Sequence, residues 1–593
     1  MKHFFYFVLI LIYPFPCISQ TSLNAADISV MTSSDYTPQG WNESASGIKT
    51  INGNGLEGKL DEASRFLLQA AFGGNLQMIK EVAETGIEPW IDYQMSLPPH
   101  LMLPVVDSIF VEYQTIFPKK KKKQQKKNRE APERPNSKVW SIAWWENYMH
   151  SNDVLRQRTA FALSEIFVVS NQSKLRKYGW GTASYYDIFL KNAFGNFRDI
   201  LSEVTYHPVM GFYLTHLSNP KADPEHNIHP DENYAREVMQ LFTIGLFELN
   251  QDGSLKHDEN GNPIPTYNND DITEFAKVFT GLGFSAVIEN DVISKPRFKM
   301  GLKYADMTAP MKMYQWQHEP GEKHLLNGYV IPAGQNGIKD IDETLDLLFN
   351  HPNVGPFIGK KLIQLLVKSN PSPEYIAAVA AAFNDNGKGE RGDMKAVIKA
   401  ILLNPEARSC DQMGDSGQGK LLEPFVRYVH FTTAIGVTSP SGKYWNDGRA
   451  VYNNLKQYPL QSPTVFNFFL PDFQPIGPIA DAGLVAPEFQ INNTQTSISY
   501  LNFINKMAVN EMNYRNINHP ELNIYTDYEW LKEDAQDSEV LLNKLDLLFT
   551  HGTLSSETRE IIKTAVDEYN NVNDRIHLAT YLIMISPDYV ILK

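Results

Sequence analysis

His229-Pro230-Asp231-Glu232-Asn233-Tyr234-Ala235-Arg236-Glu237-Val238-Met239-Gln240-Leu241-Phe242-Thr243-Ile244-Gly245 reads as one helix with both ends marked, by a proline near the first turn and a glycine just past the last. Tyr234, Val238, Leu241 and Phe242 recur at helical spacing and form an apolar stripe that must face a core. Glu237 falls at the edge of that stripe, where a carboxylate must be paired or have its pKa shifted, because unpaired burial is expensive. Arg236 and Glu232 lie one turn apart on the other flank. The stretch therefore predicts a polar cluster inside a helical protein.

Further helices follow on both sides. Asp61 to Gly73 is acid-led and closed by a glycine, and Leu76 to Ala83, Trp140 to Tyr148 and Leu155 to Ser170 continue the pattern. In the last of these, Arg158 and Glu165 interrupt an otherwise apolar face and call for partners elsewhere in the chain. His207-Pro208, His351-Pro352, Asn404-Pro405-Glu406 and Ser586-Pro587-Asp588 each follow an apolar run. The residue before a proline leaves the helical region while the proline suits the next first turn, so these are helix-to-helix corners. Their spacing is irregular, and strand-like stretches are few: Ala286 to Ile293, and a small hairpin within Lys323 to Pro332. The expected fold is mainly α, a large irregular multi-helix bundle or array with a few short strands or hairpins.

The chain has 593 residues, ample for a well-buried core. Phe4 to Tyr13 is a short apolar run behind Lys2 and His3, followed by Pro14, Pro16 and Ser19, and reads as a secretory signal over 1–19. It is too short to span a bilayer comfortably, and no later segment is long and apolar enough for a membrane pass. Residues 20–59 read as a flexible leader, and 60–593 as one large helical body. That body holds a disordered basic loop at about 118–136 and a proline- and aromatic-rich section at about 458–490. With the signal removed, only Cys410 remains of the two cysteines, so packing rather than a disulfide framework stabilises the fold. Export with one thiol points to the periplasm, outer surface or surroundings of a Gram-negative cell. The net charge of -14 argues against nucleic acid as a partner.

Two more polar groupings stand near the first. Asp271 and Glu274 open the helix that begins near Asn269, spaced as an acid cap and its answering glutamate. His318 and Lys323 lie in a turn dense with ionisable groups, and could serve as proton donor and electrostatic stabiliser if the fold brings them to Glu237. Ser462 before Pro463 reads as a helix cap, and the phenylalanines after it as anchors or a carbohydrate-stacking platform. There is no phosphate-cradling glycine motif, no His-Glu-x-x-His helix, no Gly-x-Ser-x-Gly elbow and no compact metal-ligand spacing. The cofactor is left unassigned.

Ser64 to Gly73, Gln157 to Ser164, Glu232 to Gly245, Tyr267 with Asp271 to Gly281, His318 to Gly328 and Ser462 to Pro475 together resemble a bacterial family known as domain of unknown function 1800. The resemblance implies an all-helical, exported protein, often encoded beside a sulfatase-like partner. Some members carry a Gly-Trp motif in the later section, where this chain has Phe466-Asn467-Phe468-Phe469, so it looks like a separate branch. The reading drawn from the residues is convergence of Arg158, Glu232, Asn233, Arg236, Glu237, Glu274, His318 and Lys323 on one pocket. Glu237 would be base or nucleophile, His318 the acid and Arg236 the orienting charge, in a hydrolase or lyase acting on an envelope or environmental polymer or glycan. The alternative is a non-catalytic envelope binding or scaffold protein whose charges form a structural ion-pair network.

Overall fold

The computed structural model describes residues 57–118, 133–289, 292–294, 296–408, 418–509 and 518–593. The signal and nearly all of the leader, the lysine run and Cys410 lie outside the described residues. Within them 24 α-helices alternate with short connections, and the only sheets are two-stranded antiparallel pairs, so the protein is mainly α. No helix among the described residues is long and apolar enough to cross a membrane.

The helices that matter here are α1 (Glu57–Ala70), α2 (Ser137–His150), α3 (Val154–Ile166), α4 (Gly179–Asn192), α5 (Phe197–Tyr206), α6 (Asn233–Gln240), α7 (Asn269–Val278), α8 (Gly337–Phe349), α9 (Val354–Leu366), α10 (Pro373–Asn384), α11 (Met394–Leu402) and α12 (Pro424–Ile435). Their starts follow sequence chemistry. Asn136, Asn196, Asn336, Ser372 and Asp393 each turn a side-chain oxygen onto free amides of the first turn of α2, α5, α8, α10 and α11. The four X-Pro corners all fall between helices, with Pro208, Pro405 and Pro587 opening new ones.

Helix α3 runs through the centre and is buried from Leu155 to Ile166. It packs on α1, α4 and α9. Aromatic edges fill the space above it: Phe72 meets Trp144, Tyr148, Phe161 and Phe425, and Phe425 meets Tyr458. Each such side chain contributes roughly 1.5–3 kcal/mol of burial, and a single buried cluster extends from Leu60 to Leu592. The last residues are tied to the helical body. Strands β3 (Lys420–Leu421) and β4 (Ile591–Leu592) pair antiparallel, and Arg65 Nε donates to Lys593 O at 2.6 Å. The hairpin expected within Lys323 to Pro332 is β1 (Lys323–His324) with β2 (Val330–Ile331).

Gly73 closes α1 as the sequence indicates, at φ +85°, and the His430 ring lies against it so that a Cβ would stand 2.0 Å from His430 Cδ2. Gly73→Ala therefore combines a left-handed backbone penalty with overpacking and is expected to destabilise by about 3 kcal/mol in chemical denaturation. An unchanged denaturation midpoint would show that α1 and α12 can separate freely.

Candidate active site

Helix α6 is shorter than its sequence suggests. Asp231 Oδ1 accepts from Asn233 N at 2.9 Å and from Thr215 Oγ1 at 2.8 Å, so an aspartate turn rather than Pro230 sets the start. After Gln240 the chain unwinds, and Gly245 turns at φ +72° against the Phe357 ring. Tyr234, Ala235, Val238 and Met239 face the core together with Glu237.

Glu237 is 6% exposed, and its buried Oε2 has no hydrogen-bond partner. Burial pushes its carboxyl above the usual range, against the pull of Arg236 and Lys361. Lys361 comes from α9, donates to Leu241 O at 2.9 Å and sits 4.2 Å over the Phe357 ring. Its burial lowers the ammonium pKa to about 7 although Asp472 and Glu237 favour the charged form. Tyr213 and Tyr267, each in the field of Glu237, are pushed up to about 12 by burial and stay neutral hydrogen-bonding phenols. Asp472, whose charge acts on both Lys360 and Lys361, is exposed, as is Lys360. A carboxyl that holds its proton too well lies near an ammonium that holds its own too weakly. Opposed shifts in two groups that feel each other's charge mark a candidate acid/base site.

The expected convergence needs correction, because the sequence-selected residues divide among separate places. His318 and Lys323 are sealed elsewhere, on Asp340 of α8. His318 Nε2 lies 2.9 Å and Lys323 Nζ 2.7 Å from Asp340 Oδ2, and all three side chains are at most 1% exposed. Burial opposes ionisation of Asp340, but hydrogen bonds from His318 and Lys323 outweigh it and hold its carboxyl below the usual range. Lys323 also donates to Glu319 O and Gly321 O, and His318 Nδ1 meets Thr280 O at 2.9 Å. Nothing in this arrangement faces Glu237. It clamps the 318–324 turn onto α8 and the end of α7.

Arg158 occupies a third place. It donates to Leu365 O at 2.7 Å, faces Glu423 at 3.9 Å and lies over the Phe72 and Phe161 rings. Lys420 donates to Gln364 O and Leu365 O and pairs with Glu488 at 3.0 Å and Glu423 at 3.7 Å. Gln457 bridges Glu165 and Glu423. Burial, then the Glu423 charge, push Glu165 well above the usual carboxyl range. The void beside Glu165 offers about 10 Å³ to a water's centre, room for one water and not for a substrate. Both cations bind carbonyls at the C-terminal end of α9, whose preceding turn carries Lys361.

The remaining residues stay near the surface around α6 and α7. Glu232 accepts from Thr273 Oγ1 at 2.9 Å and reaches Arg236 at 3.7 Å, while Asn233 opens α6. Glu274 pairs with Lys277 and accepts from His324 N at 3.0 Å. The capping box is one turn earlier than the sequence spacing implied: Asn268 is the cap and Asp271 answers it. Ser462 caps no helix. Its carbonyl accepts from Ser170 Oγ, and the segment after it is a turn in which Asn467 takes φ +64°. Among the described residues no group of His, Cys, Asp and Glu could hold a metal ion. Sequence reading missed Lys361, Tyr213, Tyr267 and Asp472. The legible hint was Lys360-Lys361 interrupting the apolar run Ile358 to Leu366.

A family model described as "Protein of unknown function (DUF1800)" matches residues 65–591, nearly the whole chain, and the chain belongs to this family. No curated protein and no solved structure matches it.

Proposed function

We propose that this member of the family is an acid/base enzyme, a hydrolase or lyase, that cleaves an envelope or environmental polymer at the Glu237–Lys361 pair. The observation that carries the reading is the almost fully buried carboxylate with an orphaned Oε2, set near an ammonium whose pKa falls to about 7. Glu237 acts as base or nucleophile, Lys361 takes the acid role expected of His318, and Arg236 orients an anionic group. The apolar run Phe4 to Tyr13 behind Lys2 and His3 supports export to the periplasm, outer surface or medium, where the partner is a polymer or glycan and a sulfatase-like protein acts alongside.

Lys361 must carry its proton to act as an acid, so activity falls as pH rises through about 7. On the acidic side activity falls once Glu237 is protonated, above the usual glutamate range. The test is a pH–rate profile of product release from a panel of peptidoglycan and neutral, uronate and sulfated polysaccharides. Lys361→Arg is expected to move the alkaline limb upward, since guanidinium keeps its proton. A limb that stays in place removes Lys361 from the chemistry. The rival reading, a non-catalytic envelope binding or scaffold protein, draws on the two sealed networks and expects no turnover on any of these polymers.

A further inference from the structure

We infer that a cleft outside the three charged clusters binds a small ligand with an aliphatic body and a primary ammonium head. The cleft lies between the helix Met102–Ile116 and the C-terminal end of α2 and offers about 480 Å³ to water centres. That is within the roughly 300–1,000 Å³ typical of small-molecule sites.

Helical spacing builds one wall. Leu101, Pro104, Val105, Ser108 and Ile109 fall at i, i+3, i+4, i+7 and i+8, so a single face of the helix, apolar except for Ser108, lines the space. Among the described residues no phenylalanine, tyrosine or tryptophan lines it, and the wall therefore fits an alkyl chain rather than a sugar-ring face. The margin at His100 is fixed by the core. His100 N donates to Asp153 Oδ2 at 2.9 Å, and its carbonyl accepts from Gln157 Nε2 at 3.2 Å, with both partners buried. The wall is thus preformed, and binding requires little ordering.

The opposite wall is made of acceptors. Glu146 and His150 stand one turn apart on α2. His150 Nδ1 meets Glu146 O at 3.1 Å, and because a carbonyl only accepts, Nδ1 carries the ring proton and Nε2 is left as an acceptor. Tyr444 holds this imidazole edge to face at 5.3 Å. Glu146 Oε2 accepts from Tyr444 N at 3.0 Å, while Oε1 has only the more distant His150 Nδ1, at 3.5 Å. The Ser108 hydroxyl is exposed and bonds no described residue.

Charge points the same way. Lys443 lines the cleft but is paired with Glu112, and among the described residues Glu146 has no lysine or arginine partner. The C-terminal end of the α2 dipole adds to that uncompensated carboxylate. An ammonium brings three donors and one positive charge, which suits Glu146 Oε1, His150 Nε2 and Ser108 Oγ. A carboxylate in its place would meet acceptors and a like charge.

The test is calorimetric titration of the purified full chain with n-butylamine, n-hexylamine and n-octylamine, and with hexanoate and hexanol. Hexylamine is expected to bind at least about tenfold more tightly than hexanoate or hexanol. Affinity along the amine series should rise about fourfold per added methylene while the wall is being covered. Glu146→Gln keeps an acceptor for Tyr444 N and should weaken hexylamine about tenfold. Ser108→Trp replaces an exposed side chain that holds nothing in place, fills the cleft and should abolish binding, so it locates the site even where Glu146→Gln melts early. Hexanoate binding as tightly as hexylamine overturns the ammonium assignment. Undiminished hexylamine binding in Ser108→Trp, or no binding of any amine, overturns the site.

Discussion

Glu237→Gln is expected to lower turnover on the cleaved polymer by about three orders of magnitude, within the range that a positioned proton-transfer group supplies. The same variant is expected to melt at the parent temperature or above it. Glutamine keeps the shape and removes a charge that burial disfavours, since the Glu237 pKa is raised by desolvation. The sign follows from linkage. A carboxyl whose folded pKa lies above its unfolded value gives stability below the usual glutamate range, and that stability is lost as pH rises through the folded value. At neutral pH the ionised side chain is a burden, and the amide relieves it. Michaelis kinetics and a thermal melt on the same preparation decide the matter. Unchanged turnover with a lowered melting temperature would make Glu237 a scaffold residue only.

Lys420→Met should be the most destabilising single change, by about 3–5 kcal/mol, because it leaves buried carboxylates without one of their two cations. Lys420 is 3% exposed and serves Glu488, Glu423 and two carbonyls of α9, so no neighbour substitutes for it. Adding Glu165→Gln should return part of that loss, since it removes the carboxylate whose ionisation the cluster tolerates least. Glu165→Gln alone should flatten stability against pH. The raised pKa of Glu165 means that the parent loses stability as pH rises above the usual glutamate range, and the amide does not. Urea denaturation at several pH values reads all three variants. Strict additivity of the double variant would show that Lys420 and Glu165 do not share one network.

How much of the site was legible depends on the kind of evidence each residue left. Glu237 stood out because a charge on an apolar stripe at helical spacing is a local pattern. Arg158 and Glu165 stood out in the same way, and both are indeed buried on α3. Lys361 left a weaker trace, and its partner on α6 is far away in the chain. His318 and Lys323 were assigned to Glu237 because a dense set of ionisable groups says that charge is present but not which group answers it. The answer was Asp340, an acid on the following helix that the periodicity made look ordinary.

The aromatic section shows the same divide. Its phenylalanines were expected to anchor or to stack; Phe468 and Phe469, 6% exposed, anchor the segment, whereas Phe466 is 43% exposed. Alternation of side chains along an irregular segment cannot be read from composition, because no helical or strand period fixes which residue turns inward.

The sequence by itself determined the helices, their corners and caps, the poverty of strands and the presence of charge on buried faces, because each follows from residues within a few turns of one another. Only the tertiary structure decided that the charges divide into three clusters rather than one, since a buried ion is neutralised by whichever counter-charge the packing delivers. At α9 that packing sets Lys361 toward Glu237, while the carbonyls of the next turn receive Arg158 and Lys420. Separation along one helix, a matter of a single turn, thus divides a candidate catalytic pair from a sealed structural one.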